Sequence, residues 1–358
     1  MSIQRIEAVS ELGTSELIER VRQIKQDLGK RLVILGHHYQ RKEIVYLSHF
    51  RGDSFLLSKR AAEQSEAEFI VFCGVHFMAE SARILAQPHQ RVFLPNMRAG
   101  CPMAEMATID AVESTWNELA AVLGPERILP VTYVNSDAQI KAFCGANGGL
   151  TCTSANAARA FTWAFDRRDK IVFFPDEHLG RNTANALGIP RDQVILWDWL
   201  SPEPLTGHSE EAVQKARVVL WKGYCHVHTY FTPDLVRRAR ESRPGCRIIV
   251  HPECPEETVA LSDATGSTEQ IIKFVKAAPP ASVIFIGTEV NMVHRLADEY
   301  PDRTILPLGR SLCPNMWKIN LKNLLHTLEH FDDAEEVTVP AEIIEDARLA
   351  LSRMLEIG

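Results

Sequence analysis

The sequence predicts an α/β protein made of three similar units, each a short parallel sheet flanked by helices. Short apolar runs rich in β-branched residues alternate along the 358 residues with segments of helical periodicity, which is typical of repeated βα units. No low-complexity linker divides the chain, and its Gly and Pro residues are spread along it. A chain of this length can bury a large core and has room for two or three domains.

Nine apolar runs have the length and residue types of buried strands, and amphipathic segments separate them. The predicted strands are residues 32–35, 69–72, 92–94, 129–134, 171–174, 218–221, 248–250, 283–286 and 304–306. Two of the helices are predicted over 233–241 and 268–277, the first with Thr232 as N-cap and Pro233 in its first turn. Residues 341–356 have the pattern of a further amphipathic helix, which we expect to dock rather than start a new unit.

Polar residues at the ends of three strands indicate a weak internal repeat. The triplets are His37-His38-Tyr39, Tyr133-Val134-Asn135 and His251-Pro252-Glu253. Each is followed by a Ser or Thr that is expected to begin a helix: Ser54 lies 17 residues after His37, Ser154 lies 19 after Asn135, and Thr268 lies 17 after His251. A helix N-terminus offers N–H groups to a phosphate or carboxylate. The alternative is that each hydroxyl only caps its helix.

The third triplet has residue types suited to proton transfer. His251 and Glu253 flank Pro252, which rigidifies the turn, and burial and neighbours can tune both a His and a Glu toward neutral pH. The alternative is an exposed turn with incidental polar groups. In the other two triplets the first and last residues share one face if the strand continues. Tyrosine can donate a proton there and asparagine can orient a carboxylate, although each could also be structural.

Three of the eight cysteines lie in loops that contain Gly, Pro or Asn, at or just past the end of an apolar segment; they are Cys101, Cys225 and Cys313. If they converge on an iron–sulfur cluster, three thiolates leave one iron without a protein ligand, and an open position makes a metal a Lewis acid. An alternative is zinc held by Cys225, His226 and His228, on a strand-like segment. We expect the remaining cysteines to be structural: Cys73, Cys144, Cys152, Cys246 and Cys254.

Charge and composition argue against several function classes. The net charge of -7 and the pI near 6.0 give no electrostatic reason to expect nucleic acid or an anionic membrane as a partner. No apolar run has the length of a membrane span, and the first residues, MSIQRIEAVSELG, lack the apolar core of a signal peptide. We therefore expect a cytoplasmic protein with reduced thiols. Neither the P-loop nor the G-x-G-x-x-G motif is present.

Eleven segments in a fixed order resemble one family closely: GHHYQ, GDSFLLSK, AGCPMAEM, VTYVNS, TCTSANA, FPDEHLGRN, GYCHVH, HPECPEE, DATGSTEQ, FIGTEVN and CPNMWKINL. The family is that of quinolinate synthase, the A protein of bacterial NAD synthesis. The segments run from about residue 36 to residue 321, so the resemblance covers most of the chain.

The resemblance implies three αβα domains with short parallel sheets, related by a pseudo-three-fold axis, with the active site at their common centre. We place the domains at residues 1–100, 101–224 and 225–358, with the C-terminal helix docking back on the first. The resemblance also implies a 4Fe–4S cluster held by Cys101, Cys225 and Cys313. The family's reaction condenses iminoaspartate with dihydroxyacetone phosphate and releases phosphate and two waters to give quinolinate.

The family's site residues carry over to positions that match its motifs. The implied substrate-binding residues are His37, Ser54, Tyr133, Asn135, Ser154, His251, Glu253 and Thr268, and the implied catalytic residues are Tyr39, His251 and Glu253. The stretch AFCGANGGL, residues 142–150, is longer than in many members, and the Cys313 loop lacks the extra cysteines that some members have. The resemblance leaves open a transient contact with the oxidase that makes iminoaspartate.

Two other classes of protein would also use three cysteines to hold an iron–sulfur cluster with one iron that lacks a protein ligand. One is a cluster-dependent hydro-lyase acting on a small hydroxy acid. The other is an iron–sulfur redox protein or iron sensor, which predicts a surface for nucleic acid or a protein partner. The sequence has neither a basic patch nor a helix-turn-helix pattern that would favour the sensor.

Overall fold

Thirteen strands form three sheets in the computed structural model, which describes residues 12–358. The first sheet contains β1 (Leu32–His37), β2 (Phe50–Gly52), β3 (Phe69–Cys73) and β4 (Arg91–Phe93). The second contains β5 (Ile128–Tyr133), β6 (Leu150–Cys152), β7 (Lys170–Phe174), β8 (Val194–Trp197) and β9 (Val218–Trp221). The third contains β10 (Arg247–Val250), β11 (Ala264–Thr265), β12 (Val283–Gly287) and β13 (Thr304–Pro307). The stretch we predict to lack a signal sequence lies largely outside the described residues.

All neighbouring strands are parallel, and the three sheets share one topology. Their orders are β2-β1-β3-β4, β6-β5-β7-β9-β8 and β11-β10-β12-β13. In each, the first strand lies between the second and the third, and the second sheet adds β8 at the far edge. This common order confirms the α/β fold class and supports the internal repeat read from the strand ends.

All nine predicted strands are confirmed, and four further strands were missed. The central strands are buried along their whole length, as expected for a parallel sheet covered on both faces. The missed strands β2, β6, β8 and β11 are all edge strands. Three of them have only two or three residues, so their pairing depends on a neighbouring strand rather than on their own pattern. The fourth, β8, is the apolar run VILW, which its own pattern could have predicted.

Helices connect the strands. In chain order they are α1 (Thr14–Leu28), α2 (Lys42–Leu47), α3 (Ser54–Glu63), α4 (His76–Leu85), α5 (Pro102–Glu105), α6 (Ile109–Leu123), α7 (Ala138–Ala146), α8 (Ala157–Phe165), α9 (Glu177–Ala186), α10 (Glu210–Lys215), α11 (His226–Thr229), α12 (Pro233–Ser242), α13 (Glu256–Leu261), α14 (Thr268–Ala277), α15 (Val290–Glu299), α16 (Pro314–Trp317), α17 (Leu321–Glu329) and α18 (Ala341–Ile357). Short 3-10 turns occur at Gly29–Arg31, Arg191–Gln193 and Pro204–Gly207. The three helices predicted by range, α12, α14 and α18, are confirmed.

The chain divides into two compact units. One comprises the residues up to Cys101 together with Leu312–Val339, and the other comprises Pro102–Ser311 and Pro340–Gly358. The first sheet lies in the first unit, and the second and third sheets lie in the second unit. The predicted domain boundaries at residues 100/101 and 224/225 therefore stay predictions, although each predicted domain contains one sheet.

The segment Leu312–Val339 packs on the first sheet, although we had placed it in the third domain. The Phe331 ring stacks on Phe69 with centroids 4.2 Å apart. Arg91 pairs with Glu336 at 2.7 Å, and Glu336 bridges to Phe93 through the backbone. An aromatic stack and a partly buried ion pair thus attach this late segment to the β3–β4 edge.

The C-terminal helix α18 packs on α7 and β6, so the expectation that it docks on the first domain is wrong. Its buried face consists of Ala347, Ala350, Leu351 and Met354. Residues 142–150 form part of the surface that receives α18, and there the Arg353 guanidinium donates a 2.5 Å hydrogen bond to the Gly149 carbonyl. An amphipathic pattern predicts a helix that docks, but it does not say which surface receives it.

We expect Gly145→Ala to destabilise the protein by about 1–2 kcal/mol net, because a clash with backbone puts the overpacking cost near the upper end of its usual range of about 1–3 kcal/mol. A β-carbon at Gly145 would lie 1.9 Å from the Asp346 carbonyl oxygen, so α18 would have to move away from α7. This cost exceeds the gain of about 1 kcal/mol that alanine brings over glycine inside a helix. Urea unfolding measures the change. A gain in stability for Gly145→Ala would show that α7 and α18 leave room for a methyl group between them.

Candidate functional site

The second unit brings together side chains from the carboxyl ends of strands in two sheets, the usual place for chemistry in α/β proteins. Tyr133 is the last residue of β5, His251 directly follows β10, and Thr288 directly follows β12. His228 comes from the one-turn helix α11. Tyr133, His228 and His251 lie around the Glu253 side chain, and Thr288 contacts His228.

Glu253 is held by two short hydrogen bonds. The Tyr133 hydroxyl donates to Glu253 Oε1 at 2.6 Å, and His228 Nδ1 lies 2.9 Å from Glu253 Oε2. His251 Nδ1 lies 3.6 Å from the carboxylate, and the His228 and His251 rings stack with centroids 4.3 Å apart. Only 2 % of Glu253 is exposed, so the alternative of an incidental exposed turn is wrong. The structure thus brings together Tyr133, His251 and Glu253 of the predicted site.

The electrostatics keep this buried carboxylate ionised. Burial raises the pKa of Glu253, but the nearby His228 and His251 and the hydrogen bonds from His228 and Tyr133 outweigh it, and the pKa falls to about 2. Burial and, to a smaller extent, the adjacent His228 lower the pKa of His251 to about 3, against the opposing effect of the Glu253 charge. If a donor turned from Glu253 to a bound substrate, the carboxylate would gain proton affinity. Glu253 is therefore an ionised group whose basicity its neighbours control.

Asp176 is a second buried carboxyl, which the sequence reading did not assign. It lies between β7 and α9, where Oδ1 accepts a 2.6 Å hydrogen bond from the Leu179 amide. Its Oδ2 has no hydrogen-bond partner within residues 12–358. Burial raises the pKa of Asp176 well above its usual range, and the negative charge of Glu253 adds to the rise. Two neighbouring buried carboxyls thus differ, Glu253 being ionised and Asp176 favouring its proton.

We expect Asp176→Asn to become more stable than the parent as the pH rises above about 4. A raised folded-state pKa means that the folded protein keeps a proton that the unfolded chain releases, so ionising Asp176 destabilises the fold with rising pH. Asparagine retains the acceptor for the Leu179 amide and has no proton to lose. The stability difference should grow by about 1.4 kcal/mol per pH unit until Asp176 ionises in the folded state. Urea unfolding between pH 4 and 8 measures it, with the exposed Asp166→Asn as control; a pH-independent difference would contradict the assignment.

Two predicted substrate-binding residues carry buried oxygens that no described group satisfies. These are Asn135 Oδ1 and Thr268 Oγ1. Thr268 is not the cap of α14, because Ser267 takes that role in a capping box with Gln270. The Thr268 hydroxyl is therefore not used for capping and can hydrogen-bond to another group. A buried oxygen without a partner costs free energy that a bound ligand can recover.

Ser154 does not begin a helix as predicted. It lies in a turn, and α8 starts three residues later at Ala157, after Asn156. The Asn156 side chain accepts a 2.7 Å hydrogen bond from the Thr153 amide and so shapes this turn. Ser154 is partly exposed at the carboxyl end of β6.

The first unit places His37 at the end of β1 and Tyr39 in the following turn, so the strand does not continue past His37. The two rings are nevertheless in contact, edge to face, with centroids 4.7 Å apart. Ser54 is the first residue of α3, but the cap is Asp53, whose carboxylate accepts a 2.9 Å hydrogen bond from the Leu56 amide. The predicted residues are thus at the ends of β1 and β2, with capping done by a neighbour.

The three cysteines singled out by the sequence share one local structure. Cys101, Cys225 and Cys313 each directly precede a four-residue helix, respectively α5, α11 and α16. They are also the three cysteines that are partly exposed, whereas the other five are buried. Burial raises the pKa of the Cys73 thiol to about 12 and raises that of the other buried thiols as well. A metal ligand must be reachable by the metal, and the three partly exposed cysteines are accessible in this way whereas the five buried ones are not.

The zinc alternative does not hold in its predicted form. The segment after Cys225 is a helix rather than a strand, and it leaves His226 exposed while His228 is buried. Within residues 12–358 the group that could hold a metal ion comprises Cys225, His228 and Glu253, without His226. His228 already contacts Glu253 through Nδ1 and Thr288 through Nε2 at 3.2 Å. We therefore interpret His228 as part of the hydrogen-bond network around Glu253.

In the part of the chain that the structure covers, no helix combines the length and the apolar character needed to cross a membrane.

Comparison with known proteins gives a consistent match. The model of the family described as quinolinate synthetase A protein matches residues 19–356. Relatives named quinolinate synthase from Bacillus cereus (strain AH187), Bacillus thuringiensis subsp. konkukian and Bacillus anthracis are each 47 % identical to this chain over 350 residues. The matched region is 96 % of this chain and 94 % of each relative.

Proposed function

Because the chain belongs to the quinolinate synthetase A family, we propose that it condenses iminoaspartate with dihydroxyacetone phosphate to give quinolinate for NAD biosynthesis. In this reaction one carbon–carbon and one carbon–nitrogen bond form, the phosphate ester bond breaks, and two hydroxyls leave as water, with no net oxidation. The observation that supports this most directly is the shared structure of Cys101, Cys225 and Cys313, three partly exposed thiols that each precede a one-turn helix.

We propose that these three cysteines hold a 4Fe–4S cluster. When bound, such a cluster supplies an iron without a protein ligand, which is a Lewis acid for the departure of hydroxyl groups. The five buried cysteines have no part in this proposal, because burial raises the pKa of their thiols and so disfavours the thiolate that a metal binds.

The other residues bind the substrates and move protons. Asn135 and Thr268 would direct their unsatisfied oxygens at polar groups of the substrates. The remaining substrate-binding residues in this proposal are His37, Ser54, Tyr133, Ser154 and His251. Ser54 and Ser154 would contact the phosphate or a carboxylate.

Glu253 is proposed to take up and return the protons of enolisation, Schiff-base formation and water loss. Its hydrogen bonds to Tyr133 and His228 keep it ionised before substrate arrives. Tyr39 would serve as a second proton donor, with its ring oriented by the His37 imidazole. His251, whose burial keeps it neutral, would accept or donate a hydrogen bond rather than carry charge.

We further propose that the reaction takes place in the cytoplasm, where a reducing environment preserves an exposed iron and the thiols that hold it. A transient contact with the oxidase that makes iminoaspartate would limit hydrolysis of this labile imine in water.

Product analysis under anaerobic conditions tests the proposed function. Protein supplied with iminoaspartate and dihydroxyacetone phosphate should release quinolinate and phosphate in equal amounts. A hydro-lyase would instead dehydrate one small hydroxy acid and form no carbon–carbon bond. Absence of quinolinate from protein with an intact cluster would contradict the proposal.

A further inference from the structure

Asn182 makes an unusual pair of contacts beside Glu253. It lies on α9 and is only 9 % exposed. Its Nδ2 group lies 2.8 Å from the Pro252 carbonyl and 2.8 Å from the Cys254 carbonyl. An amide NH2 group has two hydrogens to donate, and here both are directed at the backbone on either side of Glu253.

These contacts constrain the residue that the proposed chemistry depends on. Proline fixes only its own φ angle, so the Pro252 carbonyl and the peptide groups after it can still rotate. Within the turn itself, the Cys254 amide donates a 3.0 Å hydrogen bond to the His251 carbonyl. Asn182 adds an anchor from a different element and fixes the peptide groups that follow Pro252 and Cys254, one on each side of Glu253. The Glu253 carboxylate must in turn meet Tyr133 from β5 and His228 from α11, which lie on separate elements.

We infer that Asn182 is a positioning residue, which acts on the reaction by holding the Glu253 turn through its two flanking carbonyls. This inference rests on the proposed function for its kinetic consequences, but the anchoring itself is a property of the fold. A displacement of about 1 Å at a catalytic group can lower the rate by about 10²-fold, so a loosened turn should be visible in turnover.

The same helix offers a matched control. Asn185 lies one turn after Asn182, is exposed, and donates a 3.0 Å hydrogen bond from Nδ2 to Glu256 Oε2 on α13. Asn185→Ala therefore removes the same side chain from the same helix, together with one hydrogen bond to the same region of the chain. It leaves the carbonyls that flank Glu253 untouched.

Amide hydrogen exchange tests the anchor without reference to activity. In Asn182→Ala the amides of Glu253 and Cys254 should exchange at least about 10-fold faster than in the parent, while Asn185→Ala leaves them unchanged. Asn182→Asp, which keeps the shape but cannot donate, should behave as Asn182→Ala does. Unchanged exchange in Asn182→Ala would overturn the inference, whether or not the protein makes quinolinate.

Steady-state kinetics then distinguish an effect of Asn182 on the position of Glu253 from an effect on the stability of the whole fold. Asn182→Ala in the cluster-loaded protein should lower kcat by about 10-fold or more and change KM by less than about 2-fold. In a Glu253→Gln background the same substitution should have little further effect on kcat, because the residue through which it acts is already disabled. An equal loss in both backgrounds would show that Asn182 acts on the fold as a whole. A parent protein without quinolinate synthesis would defeat the proposed function, and the exchange result would still decide the anchor.

Discussion

Cys101→Ala, Cys225→Ala and Cys313→Ala are each expected to lose the iron–sulfur cluster and the activity together. The proposed cluster has only three protein ligands, so each substitution removes one of three thiolates and no other protein group replaces it. Each cysteine is partly exposed and precedes a short helix, so alanine should leave the fold intact. Iron and sulfide analysis of anaerobically purified variants, together with quinolinate formation, measures both effects.

Two cysteines from the buried set provide the controls. Cys144→Ala and Cys246→Ala remove thiols that burial keeps protonated, and both variants should retain cluster and activity. A full-occupancy cluster in any variant of Cys101, Cys225 or Cys313 would overturn the ligand assignment.

Glu253→Gln should lower turnover by roughly 10²-fold or more while the protein still folds, holds its cluster and binds substrate. Glutamine keeps the size of the side chain and the oxygen that accepts the hydrogen bond from Tyr133. It removes only the ability to take up and return a proton. Steady-state kinetics with a direct measurement of substrate binding separates the two effects. His251→Asn should instead weaken substrate binding. The substitution removes the His251 imidazole, which stacks on His228 beside Glu253.

The exposed Glu257→Gln is the matched control, since it makes the same change four residues later, away from Tyr133 and His228. Its turnover should equal that of the parent. If Glu253→Gln also turned over at a near-normal rate with its cluster intact, the proton chemistry would lie elsewhere, with Tyr39 the next candidate.

The sequence predicted the parts of the fold that depend on local pattern. Buried strands such as β1 and β5 are apolar along their length, so composition alone identifies them. Edge strands such as β2 and β11 have only three and two residues, so whether they form depends on pairing with a neighbouring strand rather than on their own sequence. Capping was misread for a related reason. We had expected Ser54 and Thr268 to cap their helices, but the caps are the preceding residues, Asp53 and Ser267. Only the backbone geometry decides which of two adjacent residues is the cap.

The site was predictable in its residue types but not in its contacts. The strand-end triplets and the resemblance both led to Tyr133 and Glu253, yet nothing in the sequence indicated that these residues, 120 positions apart, share a 2.6 Å hydrogen bond. Asp176 and Asn182 both lie in the segment FPDEHLGRN, which we used only as a family motif. Their importance comes from burial and from contacts or charge near Glu253, which depend on tertiary packing.

We propose that three cysteines hold a cluster with one open iron and that the protein loaded with this cluster makes quinolinate. Iron and sulfide analysis of the anaerobically purified protein, with quinolinate formation assayed on the same sample, tests it most directly. We predict about four iron and about four sulfide per chain, with activity lost on exposure to oxygen and regained after reconstitution with iron and sulfide. An air-stable active protein that contains stoichiometric zinc and no sulfide would contradict the account.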